Sequence, residues 1–60
     1  MENNIKNFRK LLGYTQTELG RKIGVSKNTI SDWENGKYDP DLKHIKELLR
    51  LFEVNFENLF

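Results

Sequence analysis

The stretch from Thr15 to Gly36, T-Q-T-E-L-G-R-K-I-G-V-S-K-N-T-I-S-D-W-E-N-G, constrains the fold more than any other part of the chain. It spells two short helices joined by a tight turn at Gly24. Thr15 and Glu18 have capping-box spacing: the hydroxyl accepts from a first-turn N–H while the carboxylate reaches back to the cap N–H. Leu19 and Ile23 then recur one turn apart on a single face. Gly24 ends this helix, because glycine adopts the left-handed conformation of a C-terminal cap at little cost. Ser26 supplies the next N-cap, and Val25 is placed to pack on Ile30 as a hydrophobic staple. Ile30 and Trp33 point to one side of the second helix, and Asn28, Ser31, Asp32 and Asn35 to the other. Asn35-Gly36 ends it.

The rest of the chain builds around this pair. Asn3 or Asn4 caps a first helix running through Leu12, with Ile5, Phe8 and Leu12 at helical spacing, and Gly13 closes it. Lys6, Arg9 and Lys10 add positive charge, and from spacing alone Arg9 reads as a solvated surface residue. The Tyr14 ring reads as core or rim. K-Y-D-P-D is a loop, since Pro40 cannot continue a helix and biases Asp39 away from helical angles. Asp41 caps a helix to about Phe52. Its Leu42, Ile45, Leu48, Leu49 and Phe52 form the main apolar stripe, and Lys43, Lys46, Glu47 and Arg50 lie opposite. Asn55 caps a last short turn carrying Phe56, Leu59 and Phe60. With no internal repeat and no convincing strand, the expectation is one all-α domain over residues 1–60, a compact bundle of about five short helices.

Sixty residues allow one core, and a chain of that length buries only about 60% of its unfolded surface, leaving a stability of a few kcal/mol. There is no cysteine and no metal-ligand cluster, so neither a disulfide nor a metal is expected as a staple, and no cofactor is implied. Absence of cysteine fits a reducing cytoplasm, which is the expected location. The N-terminal M-E-N-N-I-K-N lacks the apolar segment of a secretory signal. No run approaches the roughly 18 apolar residues of a spanning helix, so a soluble protein without a membrane partner is expected. Ten Lys plus Arg face nine Asp plus Glu; any affinity for nucleic acid must come from the arrangement of charge, not its total. Enzymatic readings fare badly. His44 is the only histidine and lies between charged and apolar neighbours, and the hydroxyls near Asp32 have no base to activate them. The glycines stand singly and spell no phosphate-cradling loop. Neither a catalytic residue nor a small-molecule substrate is expected.

A short helix whose outer face carries small hydrogen-bonding side chains fits the major groove of B-DNA. The ordered set Arg9, Gly13, Gln16, Glu18, Leu19, Gly24, Val25, Ser26, Ile30, Ser31, Trp33, Glu34, Gly36, Lys37 and Pro40 resembles the Cro and repressor class of helix-turn-helix domains, often called XRE-like. The resemblance covers nearly the whole chain. It implies a lambda-repressor-like DNA-binding fold whose helix-turn-helix core is about residues 15–36, with a recognition helix at about 26–35. The implied function is sequence-specific binding of double-stranded DNA by a small bacterial or phage-type transcriptional regulator.

On that reading Lys27, Asn28, Thr29, Ser31 and Asp32 face base edges. Asn28 suits bidentate recognition of adenine, Lys27 can donate to guanine, and Asp32 can accept from cytosine N4 while repelling nearby phosphates. Gln16, with the free N–H groups at the start of its helix, suits a phosphate oxygen. Asn35 and Lys37 match backbone-contacting positions of the family, and Tyr38 and Lys43 join them. The family pairs the residue matching Arg9 with the one matching Glu34, tying the first helix to the recognition helix. Gly20 stands where the family commonly has alanine; a small residue lets the two helices approach, and Gly20→Ala is expected to be neutral or stabilising. One such domain offers a small interface, so a homodimer on a palindromic operator is expected, with half-sites about one DNA turn apart. Phe56, Leu59 and Phe60 either provide its self-association surface or complete the monomer core. The alternative is a protein-interaction module on the same fold, antitoxin-like or adaptor, which near-neutral charge and the acids Asp32, Asp39 and Asp41 favour slightly.

Overall fold

In the computed structural model, which describes residues 1–60, five helices turn their apolar faces toward one shared core and no strand forms. They are α1 (Ile5–Leu11), α2 (Gln16–Ile23), α3 (Lys27–Glu34), α4 (Leu42–Phe52) and α5 (Phe56–Leu59). Ile5, Leu19, Ile23, Ile30, Trp33, Leu48, Phe52 and Leu59 make up the core, so every helix contributes at least one residue to it. No helix is long and apolar enough to cross a membrane.

The start of α1 divides its capping between two asparagines. Asn3 Oδ1 accepts from the Ile5 N–H (3.0 Å). Asn4 instead fastens the helix to α5: its backbone N–H donates to the Leu59 carbonyl (2.8 Å) and its Nδ2 to the Asn58 carbonyl (2.9 Å). The expected stripe of α1 needs one correction. Leu12 is 47% exposed: it stands at the C-terminal cap of α1, still at right-handed angles, where the chain does not cover it. Besides Ile5, the buried place on this helix is taken by Arg9.

Local chemistry sets the α2–α3 unit. Glu18 Oε1 accepts from the Thr15 N–H (2.8 Å) and Thr15 Oγ1 from the Glu18 N–H (3.0 Å). The hydrogen bond from the Thr15 backbone, followed by that with its side chain, holds the Glu18 carboxyl below its ordinary range. Gly24 sits at φ 85°, and the Gly24 and Val25 N–H groups both close on the Gly20 carbonyl (2.7 and 2.9 Å). Ser26 Oγ then accepts from the Thr29 N–H (3.1 Å) to start α3.

Gly20 does more here than keep space. A Cβ built on it lies 2.6 Å from the Val25 carbonyl oxygen, which is fixed backbone in the turn. The expectation that alanine is tolerated is therefore corrected: the α2–turn contact is closer than any Cβ allows.

Asp41 caps α4, accepting from the His44 N–H (3.0 Å), and this bond holds its carboxyl below the ordinary range. Leu48 and Phe52 are buried and Leu49 and Leu51 pack at the margin of the core. Leu42, read as part of the stripe, is 67% exposed. It is the first residue of α4, and a helical side chain covers the turn preceding it, where Leu42 has only loop. The helix ends at Glu53, a non-glycine residue at φ 58°. The Phe8 and Phe52 rings stack at 5.7 Å, joining α1 to α4.

Leu59 is fully buried and completes the monomer core, so it cannot belong to a self-association surface. Phe56 is 49% exposed and stacks on Phe60 at 4.9 Å.

Gly20→Ala brings about 1 kcal/mol of helix propensity against an overpacking cost of typically 1–3 kcal/mol. Because the opposing atom is backbone, the cost prevails, and the variant should melt below the wild type. A melting temperature equal to or above the wild type would show that the turn yields.

Candidate functional site

The outward face of α3 is open at its start and more engaged toward its end. Lys27 and Asn28 are exposed, and neither side chain hydrogen-bonds within the chain. Thr29, Ser31 and Asp32 are half-buried. Thr29 Oγ1 lies 3.0 Å from the Ser26 hydroxyl, and Asn35 Nδ2 donates to Ser31 Oγ at 3.4 Å. Beyond the helix the Gly36 N–H donates to the Trp33 carbonyl (3.1 Å) and the Lys37 N–H to the Asp32 carbonyl (2.9 Å). These bonds satisfy carbonyls that the helix end would otherwise leave free. Lys37, Tyr38 and Lys43 are exposed around this end and the loop into α4.

Behind that face lies a buried polar network. Arg9 Nε donates to Glu34 Oε2 at 2.6 Å and Arg9 Nη2 to Glu34 Oε1 at 3.2 Å, with side-chain exposures of 9% and 2%. The two-pronged geometry is the strongest form of an arginine–carboxylate contact. Arg9 Nη1 donates to the Tyr14 carbonyl (2.8 Å), and Gln16 Nε2 to Glu34 Oε1 (3.0 Å). Spacing alone would leave Arg9 in solvent; the folded chain takes it inside. Gln16 is half-buried with its amide turned toward Glu34, while the backbone N–H groups of Gln16 and Thr17 find no acceptor in the chain.

Two supports of the site have no signature in the sequence. Asn3 Nδ2 donates to the Trp33 carbonyl (2.8 Å), bracing the last turn of α3 from thirty residues away. An asparagine at that position reads only as a helix cap. The Tyr14 carbonyl, which accepts from Arg9, is backbone, and no residue type advertises it. On the other side of Trp33 the His44 ring sits 5.4 Å away between centroids, its Nδ1 2.7 Å from Asp41 Oδ1. No group of three or more His, Cys, Asp or Glu is arranged to hold a metal ion.

Two short helices across a left-handed glycine turn, the second with a solvent-facing polar side and a core-facing Ile30 and Trp33, define a helix-turn-helix domain. A helix-turn-helix family profile matches residues 5–59, and the chain belongs to this family, the Cro/repressor-type or XRE-like helix-turn-helix domains of transcriptional regulators. An uncharacterized HTH-type transcriptional regulator of Methanocaldococcus jannaschii is 43% identical over 60 residues, spanning all of this chain and 91% of that protein. The antitoxin HipB of Escherichia coli is 34% identical over 55 residues, which is 92% of this chain and 58% of HipB. Among solved structures, a candidate DNA-binding protein from Bacteroides fragilis superposes with a TM-score of 0.84 at 31% identity, covering 97% of this chain and 94% of that one. The N-terminal DNA-binding domain of SinR from Bacillus subtilis superposes with a TM-score of 0.76 at 30% identity, covering 87% and 77%.

Truncating Glu34 to alanine strands the Arg9 guanidinium in the interior, and leaving one partner of a buried pair uncompensated costs about 3–5 kcal/mol. Glu34→Ala should therefore lower the denaturation midpoint far more than Glu53→Ala, whose side chain is exposed. Equal shifts for the two variants would show that the buried pair contributes nothing to stability.

Proposed function

We propose that the chain binds double-stranded DNA sequence-specifically as a small transcriptional regulator, with the polar face of α3 in the major groove. The observation that carries this reading is the state of Lys27 and Asn28, exposed and uncommitted at the start of a helix whose far end is clamped by Arg9 and Asn3. Family membership supports DNA binding in general. Lys27, Asn28, Thr29, Ser31 and Asp32 are the proposed base-reading residues. Asn28 pairs with adenine through its amide, and Asp32 accepts from cytosine while discouraging phosphates. Gln16, Asn35, Lys37, Tyr38 and Lys43 hold the backbone on either side, fixing register without reading sequence.

One domain of this size makes a limited interface, so two copies on a palindromic operator are proposed, with Phe56 and Phe60 supplying apolar surface between them. A protein-interaction role, as in an antitoxin or adaptor, is the second reading. It draws on the likeness to HipB and on the acids Asp32, Asp39 and Asp41. Binding to random duplex DNA separates the two: steep weakening with salt reports phosphate neutralisation, and no binding even at low salt favours the protein partner.

Selection of bound sequences from a randomised duplex pool gives the operator on which finer tests rest. Asn28→Ala should relax preference at one base pair, with a loss of roughly 1–3 kcal/mol there. Retained preference at every position would remove Asn28 from the reading face. Lys37→Ala should weaken all sequences alike and reduce the slope of log affinity against log salt by about 0.9. An unchanged slope would take Lys37 off the phosphate contacts.

A further inference from the structure

Asn35-Gly36 ends α3, and it is the one place in the chain where glycine follows asparagine. Such a pair can react with itself in water. The amide nitrogen of the glycine attacks the asparagine Cγ and gives up its proton to solvent, and the Cγ–Nδ2 bond breaks to release ammonia. Water then adds to either carbonyl of the cyclic imide. The product is aspartate or, where the main chain now runs through Cγ, isoaspartate. Nothing is oxidised or reduced. A side chain on the second residue hinders the attack, and glycine has none.

The folded helix end holds the reacting atoms apart. Closing the ring needs the Asn35 Cβ eclipsed with the Gly36 nitrogen about the Cα–C bond. Asn35 stands at ψ 0°, so its own nitrogen is eclipsed there instead and Cβ is turned away. Rotating ψ to bring Cβ round swings the Gly36 N–H off the Trp33 carbonyl (3.1 Å) and displaces the Lys37 N–H from the Asp32 carbonyl (2.9 Å). The Trp33 carbonyl is itself braced by Asn3 Nδ2 (2.8 Å). The side chain, by contrast, is lightly held: Asn35 is exposed, and its hydrogen bond to Ser31 Oγ is 3.4 Å long. The obstacle therefore lies in the backbone, and local opening of the helix end removes it.

We propose that Asn35 is a self-modifying site, closed by the bonds at the end of α3, whose conversion to aspartate or isoaspartate loosens the chain's hold on DNA. The effect on DNA rests on the reading of Asn35 as a backbone contact given above. Either product carries a carboxylate where the amide met a phosphate, and isoaspartate also adds a methylene to the main chain between α3 and Lys37. Neither product returns to the amide. The loss of grip is thus permanent, and it proceeds only while the end of the base-reading helix is open.

The wild type is incubated in mildly alkaline buffer with and without denaturing urea, and Asn3→Ala without it, with circular dichroism confirming that the variant is folded. Trypsin releases residues 28–37 as one peptide, N-T-I-S-D-W-E-N-G-K, in which Asn28, followed by threonine, serves as internal reference. Mass spectrometry should find Asn35 converting at least about tenfold more slowly in the folded wild type than in urea. Asn3→Ala should speed both the folded reaction and hydrogen exchange of the Gly36 N–H by about fivefold, the loss of one hydrogen bond. Equal conversion of Asn35 with and without urea, or an unchanged rate in folded Asn3→Ala, would overturn the closure. Asn28 converting ahead of Asn35 in urea would overturn the site itself. Should Asn3→Ala not fold, the wild type with and without urea decides. Asn35→Asp should bind a random-sequence duplex at low salt about tenfold more weakly than the wild type, and more weakly than Asn35→Ala, the difference being the added charge. Asn35→Asp binding as tightly as the wild type would overturn the effect on DNA. A wild type that binds no duplex at low salt removes the DNA reading, whereas the mass measurement judges the closed site whether or not DNA binds.

Discussion

Two opposite charges 2.6 Å apart and almost wholly withdrawn from water hold the molecule's polar interior together. Burying them carries a desolvation cost that their mutual attraction offsets only when the remaining hydrogen-bonding capacity is also met. Here it is largely met: Glu34 takes two bonds from Arg9 and one from Gln16, and Arg9 gives its third to the Tyr14 carbonyl. Those groups come from α1, from the link that follows it, from the start of α2 and from the end of α3. Satisfying one carboxylate therefore fixes where three helices stand. The apolar core cannot do this alone, because burial of Ile5, Leu19, Ile30 and Leu48 favours contact in any orientation that excludes water. Direction comes from the hydrogen bonds.

The second constraint is steric and sits at the opposite end of the same helix pair. The Val25 carbonyl approaches Gly20 so closely that no side-chain carbon fits between them, while the Gly24 and Val25 N–H groups close on the Gly20 carbonyl. The turn is thus pinned to α2 on one side and begins α3 on the other through Ser26. With the turn fixed at one end of α3 and Glu34 and the Trp33 carbonyl fixed at the other, the exposed side chains between them ride on a rod with little freedom. Rigid placement of a polar face is what separates a surface able to read another molecule from an ordinary solvated helix.

What the sequence disclosed divides by range. The caps at Thr15, Ser26 and Asp41 and the glycine turn at 24 are written in residues three or four apart, and their bonds form where that spacing places them. Periodicity located the core faces of α2, α3 and α4 through Leu19, Ile23, Ile30, Trp33, Leu48 and Phe52. It misplaced Leu12 and Leu42 because a repeat gives the direction of a side chain, not whether anything covers it at a helix end. Arg9 was the harder case. Spacing put it in solvent, and only the wider resemblance implied a partner, since nothing local marks a contact made with Glu34 across twenty-five positions. The braces from Asn3 and Tyr14 end on backbone carbonyls and left no trace at all. At Gly20 the residue type was informative and its reading was not, because the closeness of approach is set by turn backbone, which has no letter of its own.

The same network bears on the balance of ten cationic against nine acidic side chains. A nearly neutral total would produce a nearly neutral surface everywhere only if both signs were evenly spread. They are not. Glu34 is closed in by Arg9, while Glu18 and Asp41 keep their charge in solvent at the starts of α2 and α4. Among the lysines and arginines, Arg9 alone is in an ion pair. Lys27, Lys37 and Lys43 stay exposed and unpaired around the polar face. Lys27, Lys37 and Lys43 therefore place cationic side chains around this face in a chain of balanced composition, because the position of charges and not their total sets the field at close range. Asp32 is the exception on that face, half-buried and in no ion pair. A carboxylate there opposes the three lysines and weakens the attraction of this face for any polyanion, so the face is not uniformly cationic.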